Sequence, residues 1–187
     1  MTTSELTARQ AGQGRRILET PRLFLREMTD GDFDALYAVL ADSDIIQHYP
    51  YTFDETRVAG WIRKNRERCR VFGFGLWAVC LRENGRMIGD CGLTMQTVNG
   101  TILPELGYHI ARPFQRRGYG KEACRACLNW AFSHTPFQIV FSYMKRSNRP
   151  SAALARANRM SLCETFLDAE GEQTAVYGNA RSQWLGG

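Results

Sequence analysis

Basic side chains and glycines crowd one short segment of the chain. The cations are Arg112, Arg116, Arg117 and Lys121, and they surround Gly118 and Gly120. Apolar residues recur three and four positions apart after this turn, which predicts a helix over 118–133. The first turn of a helix leaves backbone N–H groups unpaired and carries partial positive charge, so the segment predicts a site for a doubly phosphorylated group. The glycines would let phosphate oxygens approach these amides closely.

Two other phosphate-binding motifs are absent from this segment. No Gly-x-x-x-x-Gly-Lys-Ser/Thr motif is present, and no Gly-x-Gly-x-x-Gly opens a helix here. These absences argue against a nucleotide triphosphatase loop and a dinucleotide-binding fold. A plain strand-to-helix turn with a solvated basic face is the structural alternative.

The elements that must position this segment form a mixed α/β pattern. Period-two alternation and turn residues predict strands over 22–27, 74–82, 87–96, 101–110, 139–144, 162–167 and 174–179. Helical spacing predicts helices that begin near Thr29 or Asp30, near Glu55, near Gly118 and near Asn148. Gly89 and Gly92 predict a bulge or a close backbone approach. We therefore expect a central mixed, mostly antiparallel twisted sheet of about 6–7 strands with helices on both faces.

Composition predicts a single domain over residues 17–187 after a flexible leader over 1–16. The chain has 187 residues, of which 44% are hydrophobic, which suits one core. The leader is polar and lacks the apolar segment of a secretory signal, so we expect a cytoplasmic protein. No apolar run approaches the roughly 20 residues of a membrane-spanning helix. We therefore expect no membrane association.

The six cysteines lie mostly singly within apolar segments. We expect buried thiols without disulfides. The close pair Cys124 and Cys127 has no second pair and no histidine pattern beside it, so we expect packing and no metal site.

One motif carries a family resemblance. Gln115-Arg116-Arg117-Gly118-Tyr119-Gly120 resembles the Gln/Arg-x-x-Gly-x-Gly/Ala signature of the GNAT superfamily of acyl-CoA-dependent N-acyltransferases. Its surroundings are similar to the branch that includes the ribosomal-protein N-terminal alanine acetyltransferases. The likeness extends from about Ile17 to Tyr177, and Leu18-Glu19-Thr20-Pro21-Arg22-Leu23, Trp77-Ala78-Val79, Ile88-Gly89 and Asn148-x-x-Ser151 follow in the family's order.

The resemblance implies a GNAT fold, acetyl-CoA as co-substrate and a defined set of coenzyme contacts. The implied contacts are Tyr108, His109, Ile110, Gln115, Arg116, Arg117, Gly118, Tyr119, Gly120, Lys121 and Asn148. Amides from Arg116 to Lys121 would hold the pyrophosphate, and the backbone of Tyr108 to Ile110 would pair with the pantetheine arm. For Asn148 a helix cap is the structural alternative.

Acyl transfer to an amine needs a proton acceptor and, for the thiolate, a proton donor. Glu105 is the first candidate base, directly or through a water, with an exposed edge-strand carboxylate as its alternative. His109 is the other local candidate, and a backbone N–H near it would stabilise the oxyanion. Ser151 is the candidate donor, with Tyr143 or solvent as substitutes and a helix cap as the structural alternative.

Two departures from the family's pattern lie in the segment after Ser151. Many relatives have a tyrosine where this chain has Ala155. The usual Lys-Leu-Gly-Met or Lys-Leu-Gly-Phe is replaced by Ala157-Asn158-Arg159-Met160, which loses a glycine and questions the local turn geometry.

The resemblance predicts an N-acetyltransferase that transfers acetyl from acetyl-CoA to a primary amine by direct attack in a ternary complex. The acceptor would be a protein N-terminus or a small-molecule amine, bound between residues 47–53 and the final hairpin. Aromatic residues at His48, Tyr49, Tyr51 and Phe53 would line that groove or belong to the core. A monomer or homodimer is expected.

Two rival functions stay open on the residues alone. The first is a catalytically degenerate acyl-CoA-binding sensor. The second is nucleic-acid binding by a basic helix, which the formal net charge of +5 permits. Because a basic helix face is commonly only solvated, we expect no nucleic-acid partner.

Overall fold

Residues 14–186 are described by the computed structural model, and their strands form one eight-stranded sheet in the order β1-β2-β3-β4-β5-β6-β8-β7. The strands are β1 Arg16–Glu19, β2 Leu23–Arg26, β3 Leu76–Leu81, β4 Met87–Val98, β5 Thr101–Ile110, β6 Ile139–Lys145, β7 Ser161–Leu167 and β8 Gln173–Ala180. Every neighbouring pair is antiparallel except β5 and β6, which run parallel. The predicted mixed, mostly antiparallel sheet is confirmed.

Helices cover both faces of the sheet, as predicted. They are α1 Phe33–Leu40, α2 Ser43–Ile46, α3 Glu55–Phe72, α4 Tyr119–His134, α5 Arg149–Ala157 and α6 Arg181–Leu185, with short 3-10 turns at Asp30–Asp32 and Arg112–Phe114. Among the described residues, no helix is both long and apolar enough to cross a membrane.

Alternation along the strands explains why two separate cores form. Leu23 and Leu25 of β2 face α4, whereas Phe24 between them faces α1 and α3. In the same way Trp77 of β3 packs on the α4 side and Ala78 on the other side. Because successive side chains of a strand point to opposite faces, a strand buried on both sides is apolar at every position. β3 is buried along its whole length.

The sheet divides between β5 and β6. Their register is a single pair, Glu105 opposite Phe141. β5 then stays with β4 as far as Gly89 opposite Ile110, and β6 stays with β8 as far as Lys145 opposite Thr174. The two halves of the sheet therefore separate beyond Glu105, and a cleft opens between them.

Glycines permit close backbone approach in β4, as the sequence predicts. A β-carbon on Gly89 would lie 2.0 Å from the carbonyl oxygen of His109, and one on Gly92 would lie 2.0 Å from that of Gly75. No side chain can fit at either distance. These two glycines therefore let β4 lie close to the backbone of His109 in β5 and to that of Gly75, which precedes β3.

Three short elements were not predicted, namely β1, α2 and α6, so the sheet has one strand more than expected. Each spans only four or five residues, too few to show a period. The predicted leader lies mostly outside the described residues, and Arg16, its last residue, begins β1. Among the cysteines the prediction of burial is wrong for Cys163, which is exposed on edge strand β7.

Candidate active site

A cleft of about 1470 Å³ opens where the sheet divides. One wall is β5 from Glu105 to Ile110, and the other is formed by the end of β6 and by α5. The start of α4 closes one end of the cleft. The opposite end is lined by Tyr49 and Tyr51, together with the hairpin that joins β7 to β8.

The turn before α4 presents a run of unpaired amides. Gly118 is the N-cap and has a left-handed conformation, φ 84°. Arg116 also has a positive φ, 58°. Among the described residues, no acceptor is found for any backbone N–H from Arg116 to Lys121. Because these donors meet at the positive end of a helix of sixteen residues, the turn is suited to a phosphate-bearing group.

Hydrogen bonds from two side chains hold this turn in place. The Gln115 side-chain amide donates to the carbonyl oxygen of Ile110 at 2.9 Å, which ties the turn to the end of β5. The Arg22 guanidinium donates to the carbonyl oxygen of Arg117 at 3.0 Å and to Glu122 Oε2 at 2.7 Å. Although burial opposes its charge, hydrogen bonds from neighbours such as Arg22 lower the pKa of Glu122. Sequence reasoning missed this support by Arg22.

The cations predicted at the turn do not all face the cleft. Gln115, Arg116 and Lys121 line it, as do Gly118 and Gly120. Arg117 turns towards the Phe114 ring, 5.9 Å away, and the Tyr119 ring lies 4.5 Å from the Arg22 guanidinium. The side chains of Arg117 and Tyr119 therefore do not line the cleft.

Glu105 lies at the point where the sheet divides. Its carboxylate is half-buried, lines the cleft and accepts a hydrogen bond from Thr94 Oγ1 at 2.8 Å. Burial raises the pKa of Glu105, and the Thr94 hydroxyl and the His109 charge oppose that rise. A carboxyl with a raised pKa in a cleft is suited to proton transfer.

The start of α5 forms the facing wall. Asn148 is the N-cap, and its Oδ1 accepts from the Ser151 N–H at 3.1 Å. The Tyr108 hydroxyl donates to the Ser151 carbonyl oxygen at 3.0 Å, which links β5 to α5 across the cleft. Asn148 and Ser151 both line the cleft, whereas Ala155 is 1% exposed and offers no proton donor.

Tyr143 of β6 also lines the cleft near Glu105. Burial, with the nearby Glu105 and Tyr51, raises the pKa of Tyr143 to about 12. The phenol is therefore protonated at neutral pH.

A chain of buried hydrogen bonds crosses the floor of the cleft. His109 Nδ1 lies 2.7 Å from Asp90 Oδ1, and His109 Nε2 lies 2.6 Å from the Tyr49 hydroxyl. Trp61 Nε1 donates to the other oxygen of Asp90 at 2.9 Å. Burial opposes protonation of the ring, yet the charge and hydrogen bond of Asp90 raise the pKa of His109. Because its side chain is engaged here, His109 can offer a cleft ligand only its backbone.

Sequence reasoning missed Asp90, Tyr49 and Trp61 as a group. The available signal was a carboxylate inside the apolar strand β4, since a buried carboxylate needs a partner. Residues His48, Tyr49, Tyr51 and Phe53 were expected either to line the acceptor groove or to belong to the core, and the structure shows some of each. Phe53 is 2% exposed and belongs to the core, whereas His48, Tyr49 and Tyr51 line the cleft.

The fold and the cleft together define a protein with a divided sheet, whose cleft ends at a helix N-terminus suited to a phosphate-bearing group. The chain belongs to the GNAT acetyltransferase family, since the model described as "Acetyltransferase (GNAT) domain" matches residues 22–161. The predicted family membership is confirmed.

Individual proteins and solved structures are similar to most of this chain. The chain is 30% identical over 150 residues to the uncharacterized protein YkkB of Bacillus subtilis (strain 168), covering 80% of this chain and 87% of the relative. The crystal structure of an acetyltransferase from Agrobacterium tumefaciens str. C58 has a TM-score of 0.75 and 28% identity, covering 87% of this chain and 92% of that one.

The ribosomal branch is represented by RimL, a ribosomal L7/L12 alpha-N-protein acetyltransferase solved in complex with coenzyme A. Its TM-score is 0.75 at 15% identity, and the match covers 90% of this chain and 99% of that one. At this identity the likeness is one of fold.

Proposed function

We propose that this protein transfers the acetyl group of acetyl-CoA to a primary amine by direct attack in a ternary complex. The observation that carries the proposal is the run of unpaired amides from Arg116 to Lys121, at the end of a cleft opened by the division of β5 from β6. An amine acceptor could then reach the thioester from the opposite end of the same cleft.

The residues present fit the coenzyme's diphosphate. A β-carbon on Gly118 would lie 3.2 Å from Arg22 Nη2, and one on Gly120 would lie 3.1 Å from Leu154 Cδ2, so a side chain at either position would press on residues packed around the turn. Arg116 and Lys121 add positive charge at the same place. The backbone of Tyr108 to Ile110 would pair with the pantetheine arm, because β5 has no strand partner on that side after Glu105 among the described residues.

The chemistry follows from the groups that face the thioester position. Glu105 would take a proton from the incoming amine, and its raised pKa places it closer to neutrality than an ordinary carboxyl. A backbone N–H near His109 or Ile110 would stabilise the oxyanion. The Ser151 hydroxyl would give a proton to the departing thiolate, since Ala155 cannot do so.

The acceptor would be a protein N-terminus or a small-molecule amine. The acceptor end of the cleft combines the rings of Tyr49 and Tyr51 with the carboxylates of Glu105, Asp168 and Glu170. Aromatic faces and carboxylates both favour a cationic group. Their presence supports an acceptor that arrives as an ammonium ion.

The proposal is tested by calorimetry with acetyl-CoA and by thiol release with a panel of amines. Gly118→Glu should abolish acetyl-CoA binding, because it places a side chain and a negative charge among the amides. Gly85→Glu is the matched control, since Gly85 also has a positive φ, 74°, but lies in a turn with open space around it. Equal binding by both variants would contradict the proposal.

A second candidate is an acyl-CoA-binding sensor without turnover, and the buried Ala155 favours it, since many relatives have a tyrosine there. Tight binding of acetyl-CoA without thiol release from any amine would select the sensor. Thiol release that depends on an added amine would select the enzyme.

A further inference from the structure

We infer that Tyr49, His109 and Asp90 form a proton-transfer chain in which the Tyr49 hydroxyl accepts a proton from the attacking amine. In this arrangement Tyr49 is a catalytic residue, and His109 and Asp90 are positioning residues that act through it. The inference deepens the proposed function and rests on it.

The geometry of the chain is continuous from the protein interior to the cleft. Asp90 is 0% exposed and His109 is 8% exposed, whereas Tyr49 is half-buried and lines the cleft. The two links measure 2.7 Å, from Asp90 Oδ1 to His109 Nδ1, and 2.6 Å, from His109 Nε2 to the Tyr49 hydroxyl. Only its outermost member can therefore meet a substrate.

Asp90 fixes the tautomer of His109. A carboxylate accepts hydrogen bonds, so the neutral ring must carry its proton on Nδ1. Nε2 is then a lone pair that accepts the Tyr49 O–H. Trp61 occupies the other oxygen of Asp90, which fixes the carboxylate in turn. With this tautomer a proton can move from the cleft through the Tyr49 hydroxyl to His109 Nε2. The result is an imidazolium ring beside the Asp90 carboxylate.

Two proton acceptors have distinct tasks in this reaction. An alkylammonium ion must lose one proton before it can attack and a second as the amide forms. Glu105 is suited to the first loss, because a carboxylate pairs with the ammonium ion. The Tyr49 chain takes the second.

The second step balances as follows. The amine nitrogen forms the C–N bond, the C–S bond breaks, and the thiolate leaves with the electron pair of that bond. The nitrogen's proton passes to the Tyr49 oxygen while the Tyr49 proton passes to His109 Nε2. Ser151 protonates the thiolate. Between turnovers solvent returns a proton to Ser151 and removes the extra proton from His109. No atom is oxidised or reduced.

Several charged or titratable groups act on His109 and Tyr49. Asp90 faces His109 from β4, and Glu105 influences it from β5. Cys91 influences the pKa of His109 by charge, but it packs on the opposite face of β4, where its Sγ lies 3.5 Å from that of Cys127. Tyr51 and Tyr143 face Tyr49. Arg68 of α3 faces Glu105 and so belongs to the same electrostatic group.

The first test compares kcat for Tyr49→Phe with kcat for Tyr37→Phe, a matched control on the exposed side of α1. The acceptor is an arylamine of low pKa. Because this amine is already neutral throughout the assay, Glu105 does not have to remove a proton before the amine attacks. We expect Tyr49→Phe to lower kcat about 100-fold with KM for acetyl-CoA unchanged. A loss below about threefold would overturn the inference.

A pH profile separates proton transfer from packing. With the arylamine, kcat should fall as pH falls through the pKa of His109, which lies above its ordinary value, because the ring must be neutral to accept a proton. Asp90→Asn should move that fall to lower pH, whereas Asp34→Asn on exposed α1 should leave it in place. An unmoved profile in Asp90→Asn would overturn the inference.

Nitrogen-15 NMR tests the free protein without any assay. The chain has 3 histidines, so His109 is assigned by comparison with His109→Gln. Its neutral ring should show the Nδ1–H tautomer, and an Nε2–H tautomer would overturn the inference. Wild-type protein that releases no thiol with any amine would refute the proposed function itself, whereas active protein indifferent to Tyr49→Phe would refute this inference alone.

Discussion

Arg22→Ala should weaken acetyl-CoA binding although Arg22 does not line the cleft. Its guanidinium donates to the Arg117 carbonyl oxygen at 3.0 Å and to Glu122 at 2.7 Å, and lies 4.5 Å from the centre of the Tyr119 ring. The peptide planes of the turn are therefore held from behind by one side chain. Without it, the amides lose part of their preorganisation for the diphosphate.

The magnitude follows from the three contacts. Because the Arg22 side chain is 47% exposed, its ion pair with Glu122 contributes only about 0.5 kcal/mol. The hydrogen bond to the Arg117 carbonyl oxygen contributes about 1 kcal/mol, and the contact with the Tyr119 ring about 0.5 kcal/mol. The total of about 2 kcal/mol corresponds to a fall in Tm of roughly 4–8 °C for a domain of this size. We expect the Kd for acetyl-CoA to rise about tenfold.

Thermal unfolding and calorimetry measure the two effects separately. Arg82→Ala is the control, since Arg82 is similarly exposed and donates to the Thr20 carbonyl oxygen at 3.0 Å without a hydrogen bond to the turn. Its Kd should match that of the wild type. If Arg22→Ala lowers Tm and leaves Kd unchanged, Arg22 stabilises the fold and does not organise the coenzyme site.

Three further substitutions test other parts of the account. Glu105→Gln should lower kcat for an alkylamine about 100-fold, and for an arylamine of low pKa much less, in a thiol-release assay. Arg159→Gly should raise the free energy of unfolding by about 0.5 kcal/mol in denaturant titrations, because Arg159 has φ 60° and Arg159→Ala would keep that strain. Asp32→Asn should destabilise the protein at neutral pH. Although burial opposes its charge, Arg26 holds the pKa of Asp32 below its ordinary value, so the wild type should lose this advantage as pH falls through the lowered pKa.

Much of the turn before α4 and its surroundings was predictable because its signals are local. The glycine turn, the period of α4 and the extent of β5 all lie within one continuous stretch. The replacement of a family glycine by Arg159 was also visible, and the structure shows its outcome. Arg159 adopts a positive φ of 60°, a conformation that glycine would favour and that strains a residue with a side chain.

The rest depends on contacts between distant parts of the chain. Arg22 and Glu122 are a hundred residues apart, and Tyr49 and His109 are sixty apart. Whether such residues meet depends on strand register and helix placement, which single-sequence periodicity does not determine. The side chain of Tyr119 could not be placed for the same reason, since its ring packs against Arg22 and not in the cleft.

A crystal structure with bound acetyl-CoA tests the central claim most directly. The proposal predicts diphosphate oxygens within hydrogen-bonding distance of backbone N–H groups between Arg116 and Lys121, with the thioester between β5 and α5. A diphosphate held by side chains elsewhere, with these amides left to solvent, would contradict it.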